Sequence, residues 1–293
     1  MIRRCPLCKS QESSKEILPE VEVTDSTLAS HWSGFLTEKI FFPYHRCACG
    51  FLFCPHYLDD KVITQLYGSM TDNEHSGNPK LEQATKAGYA KQFLNYSKRQ
   101  HFKSILELGA DNGTLARILN ESVIIDQYHC VEPNQEVHDQ LRLIPNVVIH
   151  ETLEQALKAG KKFDAVLAVH VMDHIPNFDL IMTKLRDAMC EGSVFYCVVH
   201  NEKSLLAKIF RRRWPAYCLQ HPHLFNHVTL PKILDKKYYT SLKIYRTQNY
   251  FSFGYLFEHL CLALFKKTFV FPEMFNVRVA LGNIALIGVR KND

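Results

Sequence analysis

Short apolar segments alternate with helix-like segments over about the last 190 residues, and this alternation constrains the fold more than any other feature. The clearest buried-strand segments lie at 104–108, 128–131, 163–169 and 193–199, and weaker ones at 147–150, 242–245 and 283–289. Helical patterns lie at 81–102, 115–120, 135–143, 153–159 and 178–189, and a further helix is expected to begin at residue 229. This order predicts an α/β fold with a doubly wound, mostly parallel seven-stranded sheet.

The composition is that of an ordinary globular protein. The 293 residues are 46% hydrophobic and 22% charged, which supplies a sizeable core and excludes disorder, collagen and coiled coil. No apolar run reaches the roughly 20 residues that a membrane span needs, and the first residues do not resemble a secretory signal. We therefore expect an intracellular, cytoplasmic protein.

The segment 105–113, with the sequence ILELGADNG, joins a strand to a helix that should begin at Thr114. A dinucleotide fold would need the spacing G-x-G-x-x-G, whereas this loop has E-x-G-x-x-x-G with an acid inside the end of the strand. Glu107 and Asp111 would repel a phosphate and attract a cationic ligand. S-adenosylmethionine fits, because it carries a sulfonium and an ammonium group. Glu132, at the end of the next strand, is placed to accept ribose hydroxyls.

Five motifs in this order resemble the class I S-adenosylmethionine-dependent methyltransferases, which have a Rossmann-like fold. They lie at 107–113, 131–133, 163–166, 170–176 and 282–291, so the resemblance covers roughly residues 80 to 291. It implies that Glu107 and the loop surround the methionine part, that Glu132 holds the ribose, and that Glu151 or Thr152 lies near the adenine. The implied cofactor-binding residues are Glu107, Gly109, Ala110, Gly113, Glu132, Thr152 and His170.

Five of the ten cysteines fall within the first 54 residues. Cys5 and Cys8 have the spacing of a metal knuckle, and Cys47 with Cys49 supplies a second pair, so four thiolates would complete a structural zinc site. This resembles the zinc-binding segment that precedes some bacterial class I methyltransferases, including sugar C-methyltransferases. The second pair is one residue shorter than in those proteins, so His45 or Cys54 is an alternative ligand. We expect a zinc module and helical linker over 1–78 and a methyltransferase domain over 79–293.

Methyl transfer to a hydroxyl or a carbon acid needs a base near the acceptor, and histidine is the first candidate. His170 and His174 follow the fourth strand, where class I enzymes face the acceptor. His223 lies in a stretch that is similar to the Tyr-His-Glu-His-Phe motif of sugar C-methyltransferases, although Gln220 and Pro222 replace its tyrosine and glutamate. Each of the three histidines could instead be a hydrogen-bonded structural side chain.

The charge is uneven along the chain. Residues 1–150 carry 15 Lys and Arg against 18 Asp and Glu, whereas residues 151–293 carry 20 against 12. A basic stretch at 203–214, which contains three consecutive arginines, suggests a small-molecule acceptor that carries phosphate. The apolar stretch 251–265 is expected to be a core or lid helix, with contact to a membrane surface or a second copy as the alternative.

These features favour a methyltransferase that acts on a hydroxyl or activated carbon of a sugar or related metabolite. An RNA methyltransferase is the second hypothesis, motivated by the basic half and the metal module. Nucleic acid is nevertheless not the expected partner, because the fourth strand ends in His-Val-Met-Asp and not in Asn-Pro-Pro-Tyr, and because no Pro-Cys motif occurs. A cofactor-binding protein without turnover is the third hypothesis.

Overall fold

The structure is a computed structural model, and it describes residues 3–32, 39–68, 78–158, 160–265, 271, 275–280 and 282–291. In these residues the strands are β1 Ser13–Ile17, β2 Tyr44–Cys47, β3 Leu52–Phe53, β4 His101–Leu108, β5 Ile124–Val131, β6 Val147–His150, β7 Phe163–Val169, β8 Met189–His200, β9 His223–Leu224, β10 Tyr239–Arg246, β11 Asn249–Ser252, β12 Asn276–Val279 and β13 Asn283–Arg290. The α-helices are α1 Asp25–His31, α2 Asp60–Gly68, α3 Pro79–Ser97, α4 Thr114–Ser122, α5 His138–Arg142, α6 Leu153–Lys158, α7 Phe178–Ala188, α8 Leu205–Phe210 and α9 Phe253–Phe265.

The central sheet has seven strands in the order β10-β13-β8-β7-β4-β5-β6. The five strands from β8 to β6 are parallel, and β13 runs antiparallel between β8 and β10. This confirms the predicted α/β fold with a mostly parallel seven-stranded sheet. The carboxyl ends of the parallel strands share one edge, which therefore brings together residues that are far apart in sequence.

Two predicted helices are wrong in extent. The helix expected over 81–102 ends at Ser97, because Lys98 adopts a left-handed conformation with φ 54°. β4 follows, and the Phe102 ring packs on Phe93 at 5.5 Å. The helix expected from Thr229 is only a four-residue 3-10 helix, Leu230–Ile233, and Leu234 is already extended.

A second sheet, in the order β1-β2-β3-β9, contains the first three strands and one strand from the second half of the chain. Leu52 pairs with Leu224 and Phe53 with His223 in antiparallel register. Phe51 lies in one buried cluster with Phe178 and with core residues of the central sheet. Strands β1–β3 therefore pack tightly on the rest of the described chain, and the domain boundary near residue 78 stays a prediction.

None of the helices in the described ranges is both long enough and apolar enough to cross a membrane. The helix α9 follows β11, and the Phe253 ring, 38% exposed, stacks on Phe275 at 4.9 Å. In the described part of the chain, the apolar stretch predicted at 251–265 is thus β11 followed by α9.

Candidate active site

The loop between β4 and α4 turns through three left-handed residues, Gly109 (φ 64°), Asp111 (φ 53°) and Gly113 (φ 76°). A Cβ on Gly109 would lie 2.3 Å from Cγ2 of Val171, and a Cβ on Gly113 would lie 2.5 Å from Cδ1 of Ile144. Both glycines are therefore required by backbone conformation and by packing against protein side chains. Ala110, between them, is buried.

Glu132 connects the end of β5 to this loop. Its carboxylate accepts hydrogen bonds from the backbone N–H of Asp111 at 2.8 Å and of Asn134 at 3.0 Å. The side chain is nearly buried, and burial raises its pKa although these N–H groups oppose the shift. A carboxylate has about four acceptor positions, so two remain for the hydroxyls of a ligand.

Glu107 lies inside β4 and is only 1% exposed. The Tyr128 hydroxyl donates a hydrogen bond to its Oε2 at 2.7 Å. Burial raises the pKa of Glu107 to about 7, and the positive charge of Lys86 acts in the opposite direction. This carboxyl group is thus poised to ionise near neutral pH, and a cation beside it would favour the charged form.

The helix α3 covers the loop, and its residues are ones that sequence reasoning missed. Glu82 accepts a hydrogen bond from the Asn112 amide at 3.3 Å, and the Tyr89 hydroxyl lies 3.3 Å from Nε2 of His170. Tyr89 also donates to Asn249 at 3.1 Å. Only the helical pattern just before β4 could have indicated that α3 packs here.

Residues 151 and 152 follow β6 at the same edge of the sheet, and both are exposed. The Thr152 hydroxyl accepts from the backbone N–H of Gln155 at 3.3 Å, and Glu151 accepts from the Gln135 amide at 3.0 Å. A role of Thr152 beside the adenine stays a prediction.

Asp173 is fully buried just beyond β7, and it joins the ends of two strands. Nδ1 of His200, the last residue of β8, lies 2.5 Å from its Oδ2, and the backbone N–H of His200 donates to the same oxygen at 3.1 Å. Burial opposes ionisation of Asp173, but His200, His221 and His174 together outweigh it and hold its pKa well below the usual range. His200 keeps 26% of its side chain exposed.

Sequence reasoning missed His200. The register pairs Val169 with Val198, so two adjacent parallel strands end side by side, and His200 is the last residue of β8, two positions further along. The available signal was that His200 directly follows the predicted strand 193–199, since polar residues at neighbouring carboxyl ends meet at one edge. His170 lies at the same edge in a left-handed conformation (φ 56°), with its Nε2 also 3.3 Å from the Asn283 amide nitrogen.

His174 and His221 form a second part of this cluster. Their Nε2 atoms are 3.1 Å apart, and their rings meet edge to face. The Tyr67 hydroxyl lies 2.7 Å from Nδ1 of His174, and Nδ1 of His221 lies 2.7 Å from the carbonyl oxygen of Ala216. Burial lowers the pKa of His174 to about 3.

His223 does not join the cluster. It is 0% exposed, its Nε2 donates to the carbonyl oxygen of Met172 at 2.8 Å, and its ring packs against Phe51, Phe178 and Phe225. Burial lowers its pKa to about 3. These surroundings are those of a structural histidine in an aromatic core, and the base predicted at this position finds no support in them.

The cysteine site brings together the four predicted ligands. The Sγ atoms of Cys5 and Cys49 are 3.7 Å apart, and those of Cys8 and Cys47 are 3.4 Å apart. All four lie within 4.8 Å of one another. A tetrahedral zinc ion with Zn–S bonds of about 2.3 Å would hold sulfurs roughly 3.8 Å apart, so the donor set fits zinc.

The two alternative ligands lie elsewhere. The Cys54 thiol donates to the carbonyl oxygen of Phe42 at 3.4 Å, and Nδ1 of His45 lies 3.2 Å from the Ser13 hydroxyl. The short second pair reaches the site because Gly50, with φ 88°, closes a turn in which its N–H donates to Cys47 at 2.8 Å. This turn lets Cys47 and Cys49 reach the site although their spacing is one residue shorter than in the proteins that the segment resembles.

The basic stretch is partly neutralised. Nε of Arg212 and Nε of Arg213 lie 3.4 and 3.6 Å from Oε1 of Glu20. These contacts leave a weaker anion-binding surface than the sequence suggested.

Residues 81–238 match the family described as "Methyltransferase domain", which is more than half of the chain. No curated protein matches the sequence. The chain belongs to the methyltransferase-domain family.

Several solved structures share the fold. The N-methyltransferase NodS from Bradyrhizobium japonicum WM9, in complex with S-adenosyl-L-homocysteine, has a TM-score of 0.51 at 11% identity, covering 78% of this chain and 97% of its own. The plantazolicin methyltransferase BpumL, in complex with S-adenosyl-L-homocysteine, has a TM-score of 0.54 at 14% identity, covering 79% and 95%. A methyltransferase from Archaeoglobus fulgidus has a TM-score of 0.50 at 17% identity, covering 72% and 96%. At these identities the likeness shows the fold alone.

Family and fold together define a class I S-adenosylmethionine-dependent methyltransferase, as the sequence motifs predicted. The protein is an enzyme, and S-adenosylmethionine is its methyl donor.

Proposed function

We propose that this enzyme methylates a hydroxyl or activated carbon of a sugar or related small molecule, with His200 as the base that removes the acceptor's proton. The pairing of His200 with the buried Asp173 carries the proposal. Because Nδ1 donates to Asp173, the neutral imidazole presents a lone pair on Nε2, which is the arrangement of a general base. Asp173 is a positioning residue that fixes this tautomer.

The cofactor would lie beside the same edge. Glu107 and the Gly109–Gly113 loop would hold the methionine part, and Glu132 would accept the ribose hydroxyls with its two remaining acceptor positions. His170 would close the fourth strand's end, with Tyr89 and Asn283 fixing its ring. S-adenosylmethionine itself supplies the electrophilic methyl group when it is bound.

We also propose that the four cysteines hold a structural zinc ion. The site lies close to the catalytic edge, because Nη2 of Arg3 donates to the carbonyl oxygen of Pro176 at 2.7 Å, and Lys9 forms an ion pair with Asp179. These contacts connect the cysteine module to the segment that begins with His170 and Asp173.

The test is a mass-spectrometric screen of sugar nucleotides, lipid-linked sugars and polyketides with S-adenosylmethionine, scored for the gain of one methyl group. Once an acceptor is found, His200→Ala should lower kcat by about 10²- to 10⁴-fold and leave the affinity for S-adenosyl-L-homocysteine unchanged. His227→Ala, at an exposed histidine, is the matched control. Unchanged turnover of the His200 variant would remove this base from the proposal, and methylation of RNA alone would support the second hypothesis.

A further inference from the structure

The Nε2 atoms of His174 and His221 lie 3.1 Å apart, a distance at which they can share either a proton or a metal ion. Nδ1 of His221 donates to the carbonyl oxygen of Ala216, so its Nε2 is the nitrogen that faces His174. Burial disfavours the charged ring, but Cys218 and Asp173 outweigh it and raise the pKa of His221 to about 9, so that a proton lies between the two rings in the metal-free protein. A metal ion bound by both nitrogens would replace this proton.

Asp173 supplies a third donor. Its ligand oxygen lies within 4.8 Å of the donor nitrogens of His174 and His221. Its Oδ1 is buried and has no hydrogen-bond partner in the part of the chain that the structure describes, whereas its Oδ2 is occupied by His200. A buried carboxylate oxygen without a partner is costly, and a positive ion would compensate it.

The outer contacts of both rings are those of metal-binding histidines. Such rings usually donate the other N–H to a carbonyl, carboxylate or water, which fixes the tautomer. The Ala216 carbonyl does this for His221, and the Tyr67 hydroxyl, at 2.7 Å, can accept from Nδ1 of His174. His174 is partly exposed, whereas Asp173 and His221 are buried.

We infer that His174, His221 and Asp173 form a second metal site, which binds a divalent transition-metal ion. Two imidazoles and one carboxylate favour ions such as Zn²⁺ or Co²⁺ over Mg²⁺ and Ca²⁺, which prefer oxygen ligands. Three protein ligands leave coordination positions open, as in catalytic sites, whereas the four-cysteine site is closed. An open position beside His200 would take an oxygen atom of the acceptor, and only this last role rests on the proposed function.

The neighbouring triad of His170, Asp173 and His200 could also be considered. There His200 already engages Asp173 with its Nδ1, and Nε2 of His170 lies near Tyr89 and Asn283. We assign the ion to His174 and His221 because their two Nε2 atoms face each other.

The test counts metal ions in the full-length protein. After chelator treatment and dialysis against Zn²⁺, inductively coupled plasma mass spectrometry should find two equivalents in the wild type. His174→Gln combined with His221→Gln should retain one, and Cys8→Ser combined with Cys49→Ser should also retain one. His227→Ala, at an exposed histidine, should retain two. If the wild type binds a single equivalent and only the cysteine variant loses it, the inference is overturned. The rings of His174 and His221 would then share a proton and not a metal ion.

Cobalt substitution gives a second readout that does not depend on activity. Co²⁺ at the cysteine site should show intense sulfur charge-transfer bands, and these should persist in the histidine variant while weaker visible bands are lost. Tyr67→Phe keeps the ring and removes only the outer contact, so it should weaken binding at the second site by about 10- to 100-fold without unfolding the protein. Equal Co²⁺ spectra of wild type and the histidine variant would count against the site.

The metal site and the proposed base can fail separately. Two bound ions with unchanged turnover in His200→Ala would remove the base and keep the metal site. One bound ion with a large loss in His200→Ala would keep the base and remove the metal site.

Discussion

The side chain of Val171 occupies the space that a Cβ on Gly109 would need, since the two atoms would be 2.3 Å apart. The cofactor loop and the segment after β7 are therefore fitted directly against each other. Gly109→Ala should destabilise the fold by about 2–4 kcal/mol, because it adds this overlap to the cost of a left-handed residue. Chemical denaturation measures the change.

The control for this prediction is a double variant that also shortens the side chain of Val171. Val171→Ala combined with Gly109→Ala removes the overlap but keeps the backbone strain, so it should recover part of the loss relative to the sum of the single variants. Strict additivity of the two changes would show that the contact with Val171 is not the reason for the glycine.

Cofactor binding should depend on pH through Glu107. Its pKa of about 7 means that the free enzyme must release a proton when a cationic cofactor binds beside the carboxylate. The affinity for S-adenosyl-L-homocysteine should therefore fall by about tenfold as the pH drops from 8 to 6. Isothermal titration calorimetry over this range measures it.

Glu107→Gln is the matched variant for this effect. It should bind more weakly at pH 8 and show little dependence on pH, because the amide does not ionise. A wild-type affinity that stays constant from pH 6 to 8 would rule out a titrating Glu107 at the cofactor.

His129 should make the fold sensitive to acid. It is 2% exposed, its Nδ1 lies 2.9 Å from Nε2 of His150, and burial lowers its pKa to about 4. The unfolded chain binds a proton near pH 6.5 and the folded chain does not, so stability should fall as the pH drops from 6.5 to 4. The loss attributable to this group is up to about 3 kcal/mol.

The comparison of His129→Leu with wild type isolates this contribution. The free energy of unfolding of the variant should change less between pH 7 and pH 5, whereas His101→Gln, at a largely exposed histidine paired with Asp126, should follow the wild type closely. Identical slopes for wild type and His129→Leu would contradict the prediction.

Removal of zinc should loosen the segment after β7 as well as the cysteine module. Arg3 lies two residues before Cys5 and holds the Pro176 carbonyl, so loss of the ion should release that contact. We expect Tm to fall by about 10 °C and amide exchange to rise within 170–177. Differential scanning fluorimetry and hydrogen exchange measure the two effects.

Cys54→Ser separates the ligands from the remaining cysteines. Its thiol bonds the Phe42 carbonyl and lies outside the four-cysteine group, so the variant should keep its zinc content. Loss of zinc in this variant, or unchanged exchange at 170–177 in the chelated protein, would refute the corresponding part of the prediction.

The local sequence was enough to predict strands that consist of a short apolar run between turn residues. The strands at 104–108, 163–169 and 283–289 are apolar and bounded by turn residues. The strand 163–169 is confirmed with the same bounds, and the other two are confirmed within longer strands. The end of α3 was missed because Lys98 carries no signal for a left-handed conformation.

The candidate site also contains residues that local sequence predicts and residues that only the tertiary structure brings together. Glu107, Glu132 and His170 could be found because each lies at or just beyond the carboxyl end of a predicted strand, and one strand–helix–strand unit fixes the spacing between Glu107 and Glu132. His200 was missed because its partner Asp173 is 27 residues away, and only the register of β7 and β8 brings them together. The motif around His223 gives the residue type but does not show whether the side chain is buried. The structure buries it in the aromatic core, where the predicted role as a base finds no support.

The sequence by itself determined the order of strands and helices, the acid-bearing loop and the four sulfur donors, because these depend on residue types at short spacing. Only the tertiary structure decided which donors meet. It joined β9 to the cysteine module, moved His223 into the aromatic core, and gathered Asp173, His174, His200 and His221 at one edge. Contacts between residues far apart in the chain depend on register and packing, which no local pattern encodes.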